Sequence, residues 1–207
     1  MSFLSSRDKK KKIIFFGDSI TKAGVQPHGY ITLMHNMLQQ QNISHYNLLG
    51  AGIDGNTVYD LYERADNDVI AKSPNIIVVY IGVNDVWQKM YGSATDAGEF
   101  EKLYRALIIK LQAGGAKVIV CTPAVIGEKK DFNELDNDLN KYCNIIRKLA
   151  NNMHLPLIDL REAFVQYEAN NNLNNMEEGI LTVDGVHLND KGNELVAELM
   201  WTVIKTL

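Results

Sequence analysis

An α/β fold built on a parallel sheet is what this 207-residue sequence predicts, and three observations carry that reading. Short apolar, β-rich runs alternate with longer stretches of helical period from one end of the chain to the other, as they do where helices cover a parallel sheet. A 46% share of hydrophobic residues over this length is enough for one sizeable core and leaves no surplus for a second full domain. Neither an internal repeat nor a linker interrupts the alternation.

The polar stretch 1–12, ending in the basic run Lys9 to Lys12, reads as a solvated tail, and residues 13–207 as a single domain. The first strand is expected at 13–16, running straight into Gly17-Asp18-Ser19-Ile20-Thr21. Apolar residues at three- and four-residue spacing predict a helix over 30–40, followed by a strand at 46–49 and a helix over 58–71. Ser73-Pro74 marks the turn into a third strand at 76–81. After an irregular stretch, 87–98, comes a helix over 99–112, which Gly114-Gly115 terminates. A fourth strand at 118–121, a helix over 135–151 and a fifth strand at 155–158 follow. Residues 160–186, including the polar run 170–175, read as a second irregular stretch before the last helix over 194–204. Both irregular stretches follow carboxyl ends of strands, where open α/β sheets place their ligand sites.

The formal net charge of -4 argues against a nucleic-acid partner, which would need a basic surface. No stretch approaches the roughly 20 apolar residues of a membrane span, and the first twelve residues lack the apolar segment of a signal peptide. A soluble, cytoplasmic protein is expected. Cys121 and Cys143 have no CxxC neighbour and no His at metal-ligand spacing, so they read as structural thiols of a reducing compartment. The oligomeric state has no signature in the sequence.

Chemistry enters at the strand ends. Ser19 stands at a tight strand-to-helix turn with a glycine before it, a place that exposes a hydroxyl at the sheet edge and favours developing negative charge. Near the other end, Asp184-Gly185-Val186-His187 puts an acid three residues before a histidine. That spacing lets the carboxylate hold Nδ1 of His187 and leaves Nε2 to take the serine proton. His28, His35, His45 and His154 have no acid so placed. Acyl transfer also needs donors for an oxyanion. Gly50-Ala51-Gly52-Ile53-Asp54-Gly55 after the second strand offers the Gly55 backbone N–H, and Gly82-Val83-Asn84-Asp85 after the third offers the Asn84 amide.

Taken in order, these four segments resemble the sequence blocks of the SGNH, or GDSL-type, hydrolases. The resemblance spans 17–189 and departs from Gly-Asp-Ser-Leu only at Ile20, an apolar exchange at a packing position. It implies a flavodoxin-like three-layer α/β/α sandwich with five parallel strands in the order 2-1-3-4-5. It further implies a Ser19–His187–Asp184 triad and an oxyanion hole from the backbone N–H of Ser19, that of Gly55 and the side chain of Asn84, with no metal or organic cofactor. Trp87, just beyond that asparagine, is similar to the aromatic bordering the site in the acetylxylan and related carbohydrate O-acetylesterases of the family. A short-chain, acetyl-type ester on carbohydrate or another small molecule is then the expected substrate. A lysophospholipase or thioesterase of the same family is the alternative, with 87–98 as its lipid-contacting element.

Two further readings compete. Residues 50–55 also spell the G-x-G-x-x-G of dinucleotide sites, but after the second strand rather than the first, and 20 residues beyond Gly55 stands Asn75 instead of an acid. A binding module that has lost catalysis should lack a triad member, and all three are present.

Overall fold

A computed structural model describes residues 10–88, 95–131 and 133–207. Among them, five parallel strands form one sheet in the order β2-β1-β3-β4-β5: β1 Lys11–Gly17, β2 Tyr46–Gly52, β3 Ile76–Tyr80, β4 Lys117–Cys121 and β5 Leu157–Ile158. The central strands are near-continuous apolar runs because both their faces are covered. Every residue of β3 is buried, as are Ile13 to Gly17 of β1. Edge strand β2 is only half-buried, and β5 is cut to two residues after Pro156, which has no N–H to give a ladder.

Successive residues of a strand face opposite sides of its sheet, and β1 displays this directly. Phe15 meets the ring of Tyr30 in α2, Tyr30–Gln40, edge-on with centroids 5.7 Å apart. Phe16 on the other face lies under the guanidinium of Arg64 in α3, Val58–Asp68, at 4.5 Å. The layer with α2 includes the short α1, Ser19–Ala23, and the final helix, Asp190–Ile204, which packs along α2. In the layer with α3, the helices Ala97–Ala113 and Asp136–Asn152 pack in turn. Numbering in chain order makes α4 Val83–Trp87, α5 Ala97–Ala113, α6 Asp136–Asn152, α7 Leu160–Asn171 and α8 Asp190–Ile204. Since β1 is flanked by β2 and β3, the chain reverses its direction of travel across the sheet beside β1, opening a crevice at the carboxyl ends.

Several boundaries differ from those expected. Lys11 and Lys12, placed in the tail by their charge, open β1, because Lys11 N–H donates to His45 O at 2.7 Å and Lys12 N–H to the Asn75 side chain at 2.7 Å. Residues 1–9 lie outside the described residues, as do 89–94 of the stretch 87–98. The helix expected over 58–71 ends at Asp68, and a separate 3₁₀ turn, Ile70–Lys72, closes on Ser73 in the left-handed region.

The larger correction is α7, a helix where 160–186 reads as irregular. Its start is fixed by Asp159, whose carboxylate accepts the Glu162 N–H at 3.2 Å, the Thr122 hydroxyl at 3.1 Å and two guanidinium N–H groups of Arg147 at 2.7 and 2.8 Å. Leu160, Arg161 and Phe164 are the residues α7 buries. Arg161 pairs with Asp136 and donates to Asn140 Oδ1 at 2.9 Å and Ala124 O at 3.3 Å.

On the same helix, Glu168 Oε1 is buried without a hydrogen-bond partner among the described residues. Burial, helped by the negative charge of Glu128 and opposed by Arg161, pushes its carboxyl up to about 8. That value lies above the ordinary 4.5, so the folded state holds the proton more tightly than the unfolded chain. Its contribution to stability is therefore full below about 4.5 and lost as pH rises through about 8. Glu168→Gln removes the titration. Between about pH 5 and about pH 8.5, Tm of the wild type is expected to fall relative to that of the variant. Parallel Tm-against-pH curves would refute the assignment.

Candidate active site

The crevice at the carboxyl ends of β1, β2 and β3 holds the residues singled out above. Gly17 ends β1 because a Cβ there would sit 2.3 Å from Tyr80 O and from Thr21 Oγ1. The chain then turns at Asp18, whose buried carboxylate accepts the Ile20 N–H at 3.0 Å and caps α1. Burial pushes Asp18 up to about 7 against that N–H. This turn lifts Ser19 to the edge, half-buried, where its Oγ lies 2.8 Å from His187 Nε2.

His187 comes from the segment leading into α8. Thr182 and Leu188 form an antiparallel bridge, and the Val183 N–H donates to His187 O at 2.8 Å. At the tip, Gly185 adopts φ 84°, a conformation that favours glycine, and donates its N–H to Thr182 Oγ1 at 3.0 Å. The turn aims Asp184 back at the imidazole. Its Oδ2 lies 2.7 Å from His187 Nδ1, while Oδ1 accepts the backbone N–H of His187 at 2.7 Å and of Val186 at 3.0 Å. Burial alone would raise the Asp184 carboxyl, but the hydrogen bonds from His187 and Val186 outweigh it and hold it below the ordinary range. A carboxylate that stays ionised has no proton to give, so Nδ1 carries the ring hydrogen and Nε2 is left to accept from Ser19.

The two predicted oxyanion donors are held together by α4. Gly82 turns the chain out of β3 with φ 127°, a value that requires glycine, and α4 begins at once. From α4, Asn84 Nδ2 donates to Asn56 O at 2.9 Å and Gln88 Nε2 to Gly55 O at 3.1 Å. Asp85, buried between them, accepts the Val58 N–H at 3.1 Å and the Thr95 hydroxyl at 2.8 Å. Burial pushes Asp85 up to about 6 against those two donors. Gly55 has φ 72°, which suits glycine even though a Cβ would meet nothing within 4 Å. A carboxamide has two N–H donors, so the bond to Asn56 O uses one of Asn84's two.

Two supporting residues carried no signal of their own in the sequence. Arg64 donates to Gly17 O at 2.7 Å, to Ala51 O at 3.0 Å and to Asn56 Oδ1 at 2.6 Å, so one guanidinium ties the ends of β1 and β2 to the Gly55 turn. Gln88 is the other. Two of the other histidines lie elsewhere: His35 bonds Gln39 on α2, and His45 lies against Tyr46 with the ring centroids 4.3 Å apart.

Beside Asp184 opens a cleft of about 350 Å³, lined among others by Trp87, Ile126, Asn133, Glu134 and Glu177. Trp87 thus lines a cleft that Asp184 also lines. Three carboxylates, a lysine and an amide share this surface with the apolar side chains of Trp87, Ile126 and Leu135.

Comparison with known proteins agrees with the geometry. The model of the GDSL-like lipase/acylhydrolase family matches residues 15–195. A solved acetyl xylan esterase is 55% identical, superposes with a TM-score of 0.92 and is matched over 93% of this chain and 99% of its own. An acetylxylan esterase from Geobacillus stearothermophilus is 28% identical over 90% of either chain, and a solved acetylxylan esterase from that organism is 26% identical, with a TM-score of 0.81 over 95% of this chain and 94% of that one. With Ser19, Gly55, Asn84 and His187 on one sheet edge and the family model matched over most of its length, this chain belongs to the GDSL-like lipase/acylhydrolase family.

Proposed function

We propose that the chain is a serine esterase removing acetyl groups from acetylated carbohydrate, with Ser19 as nucleophile, His187 as its base and Asp184 as the acid that orients the base. The observation that carries it is the unbroken relay of Ser19 Oγ to His187 Nε2 at 2.8 Å and His187 Nδ1 to Asp184 Oδ2 at 2.7 Å. His187 takes the Ser19 proton as Oγ attacks the acetyl carbonyl. The oxyanion that forms accepts from the N–H groups of Ser19 and Gly55 and from Asn84. His187 then passes the proton to the departing sugar oxygen, leaving acetyl-Ser19. Water attacks this ester with its proton going to His187, Ser19 regains a proton, and acetate leaves.

Carbohydrate as the alcohol is supported by the two acetylxylan esterases and by the cleft beside Asp184. An indole face for a pyranose ring and hydrogen-bonding groups for its hydroxyls stand on one surface there. Trp87 is proposed to bound the acyl side as well, so that the pocket is short. Each buried methylene is worth only about 0.8 kcal/mol, too little to offset a steric block. Turnover of p-nitrophenyl esters is expected to fall from acetate through butyrate to octanoate and palmitate, and Trp87→Ala to shift the optimum toward longer chains. A maximum at octanoate or beyond would favour the lysophospholipase or thioesterase reading, while release of acetate from acetylated xylo-oligosaccharides tests the sugar directly.

A further inference from the structure

The segment after β4 contains a carboxylate that the relay does not use. Glu128 is only 1% exposed, and a buried charge is costly unless donors satisfy it. Its donors are three consecutive backbone N–H groups: Ile180 to Oε2 at 2.8 Å, and Leu181 and Thr182 to Oε1 at 2.5 and 2.9 Å. Charge-assisted bonds of this kind are roughly twice as strong as neutral ones.

Those N–H groups begin the segment that carries Asp184 and His187. Thr182, the last of them, forms the bridge to Leu188 and takes the Gly185 N–H on its hydroxyl, and the Asn189 N–H donates to Leu181 O at 3.0 Å. The main chain beside Glu128 is joined to the same segment, since Gly127 N–H donates to Gly185 O and Glu128 N–H to Glu177 O, each at 2.7 Å. The residues Ile180 to Thr182 belong to no helix or strand ladder; they are held by Glu128, by that bridge, by these main-chain bonds, and at Thr182 O by the Gly179 N–H at 3.0 Å and the Asn189 side chain at 3.2 Å.

We infer that Glu128 is a positioning residue, whose buried carboxylate fixes residues 180–182 and through them sets His187 at hydrogen-bonding distance from Ser19. The inference rests on the esterase reading above. Displacing a reacting group by about 1 Å costs on the order of 10²-fold in rate, so a loosened anchor acts on turnover rather than on substrate affinity.

The substitutions grade the effect. Glu128→Gln keeps one acceptor oxygen for Leu181 and Thr182 but turns an NH₂ toward the Ile180 N–H, donor against donor. Its kcat on p-nitrophenyl acetate is expected to fall about 10-fold, and that of Glu128→Ala about 100-fold, with KM within about twofold of wild type. Phosphonylation of Ser19 by a p-nitrophenyl phosphonate, which needs the Ser19–His187 pair but no sugar site, should slow in parallel. As a comparison, Asn172→Ala deletes the 2.7 Å bond onto Glu128 O, together with the side chain's bonds to Met176 O and from the Met176 N–H, without touching the carboxylate, and should lower Tm while leaving kcat unchanged. Unchanged kcat in folded Glu128 variants, a loss confined to KM, or an equal kcat loss in Asn172→Ala would each overturn the assignment. Should the Glu128 variants not fold, amide exchange in the wild type decides it: slow exchange at 180–182 supports the anchor, and exchange as fast as in an exposed loop overturns it. A wild type inert toward p-nitrophenyl acetate would refute the esterase reading itself, whereas an active wild type with indifferent Glu128 variants would refute only the positioning role.

Discussion

Replacing Ser19 with alanine is expected to leave a folded protein whose acetyl-ester turnover has fallen by roughly 10⁴-fold or more. The change deletes one oxygen from a half-buried side chain whose hydrogen-bond partner is His187 Nε2, so it opens little space and leaves the ring nitrogen free to find water. Tm should therefore move little while the nucleophile is lost. His187→Ala is expected to cost about as much, because without a base the hydroxyl is a weak nucleophile. The two act as one unit, so the double variant should be little worse than either single one. Steady-state rates on p-nitrophenyl acetate for the three variants check this, and substantial turnover by Ser19→Ala would end the mechanism proposed.

The next largest effect is expected at Asn84, where alanine should lower kcat by roughly 10²- to 10³-fold with a smaller change in KM. A donor that strengthens its bond only as charge develops on the carbonyl oxygen stabilises the transition state more than the bound ester. The bond from Asn84 to Asn56 O adds a second loss, since it helps hold the Gly55 turn against α4 alongside the Gln88 bond to Gly55 O. Asn84→Asp keeps the size of the side chain but removes both donors and sets a negative charge against the oxyanion and Asn56 O. It should be the worse variant. A change confined to KM would make Asn84 a substrate-binding residue instead.

Much of this arrangement is legible in the sequence where the signal is local. The five strand runs, the helix Tyr30–Gln40 and the Asp184–His187 spacing are each contained within a few consecutive residues. The strand order is not local, and only the resemblance to a family supplied it. Helix α7 was hidden because its buried residues are few and include Arg161, while its polar end merges with the asparagine-rich run that follows. Helix α8 starts at Asp190, a full turn before the apolar period begins, capped by Asn189 on the Gly192 N–H, because Gly192 in its first turn disguises the start. Glu128 was beyond reach for another reason. Its partners are backbone groups more than 50 residues away, and backbone donors leave no mark in a sequence.

The distance along the chain between nucleophile and base carries its own consequence. Ser19 and His187 are 168 residues apart, whereas Ser19, the Gly55 turn and α4 all lie in the first half of the chain. A polypeptide emerging from its N-terminus first can form β1 and the two oxyanion donors long before the acid and base exist, since domains complete their cores only when distant pieces arrive. Because Asp184 and His187 share one turn, they are gained together and are lost together if that segment opens. Appearance of esterase activity during refolding should thus report the docking of the C-terminal segment, lagging any spectroscopic signal of sheet formation, and partially folded chains should carry an inert serine rather than an unregulated one.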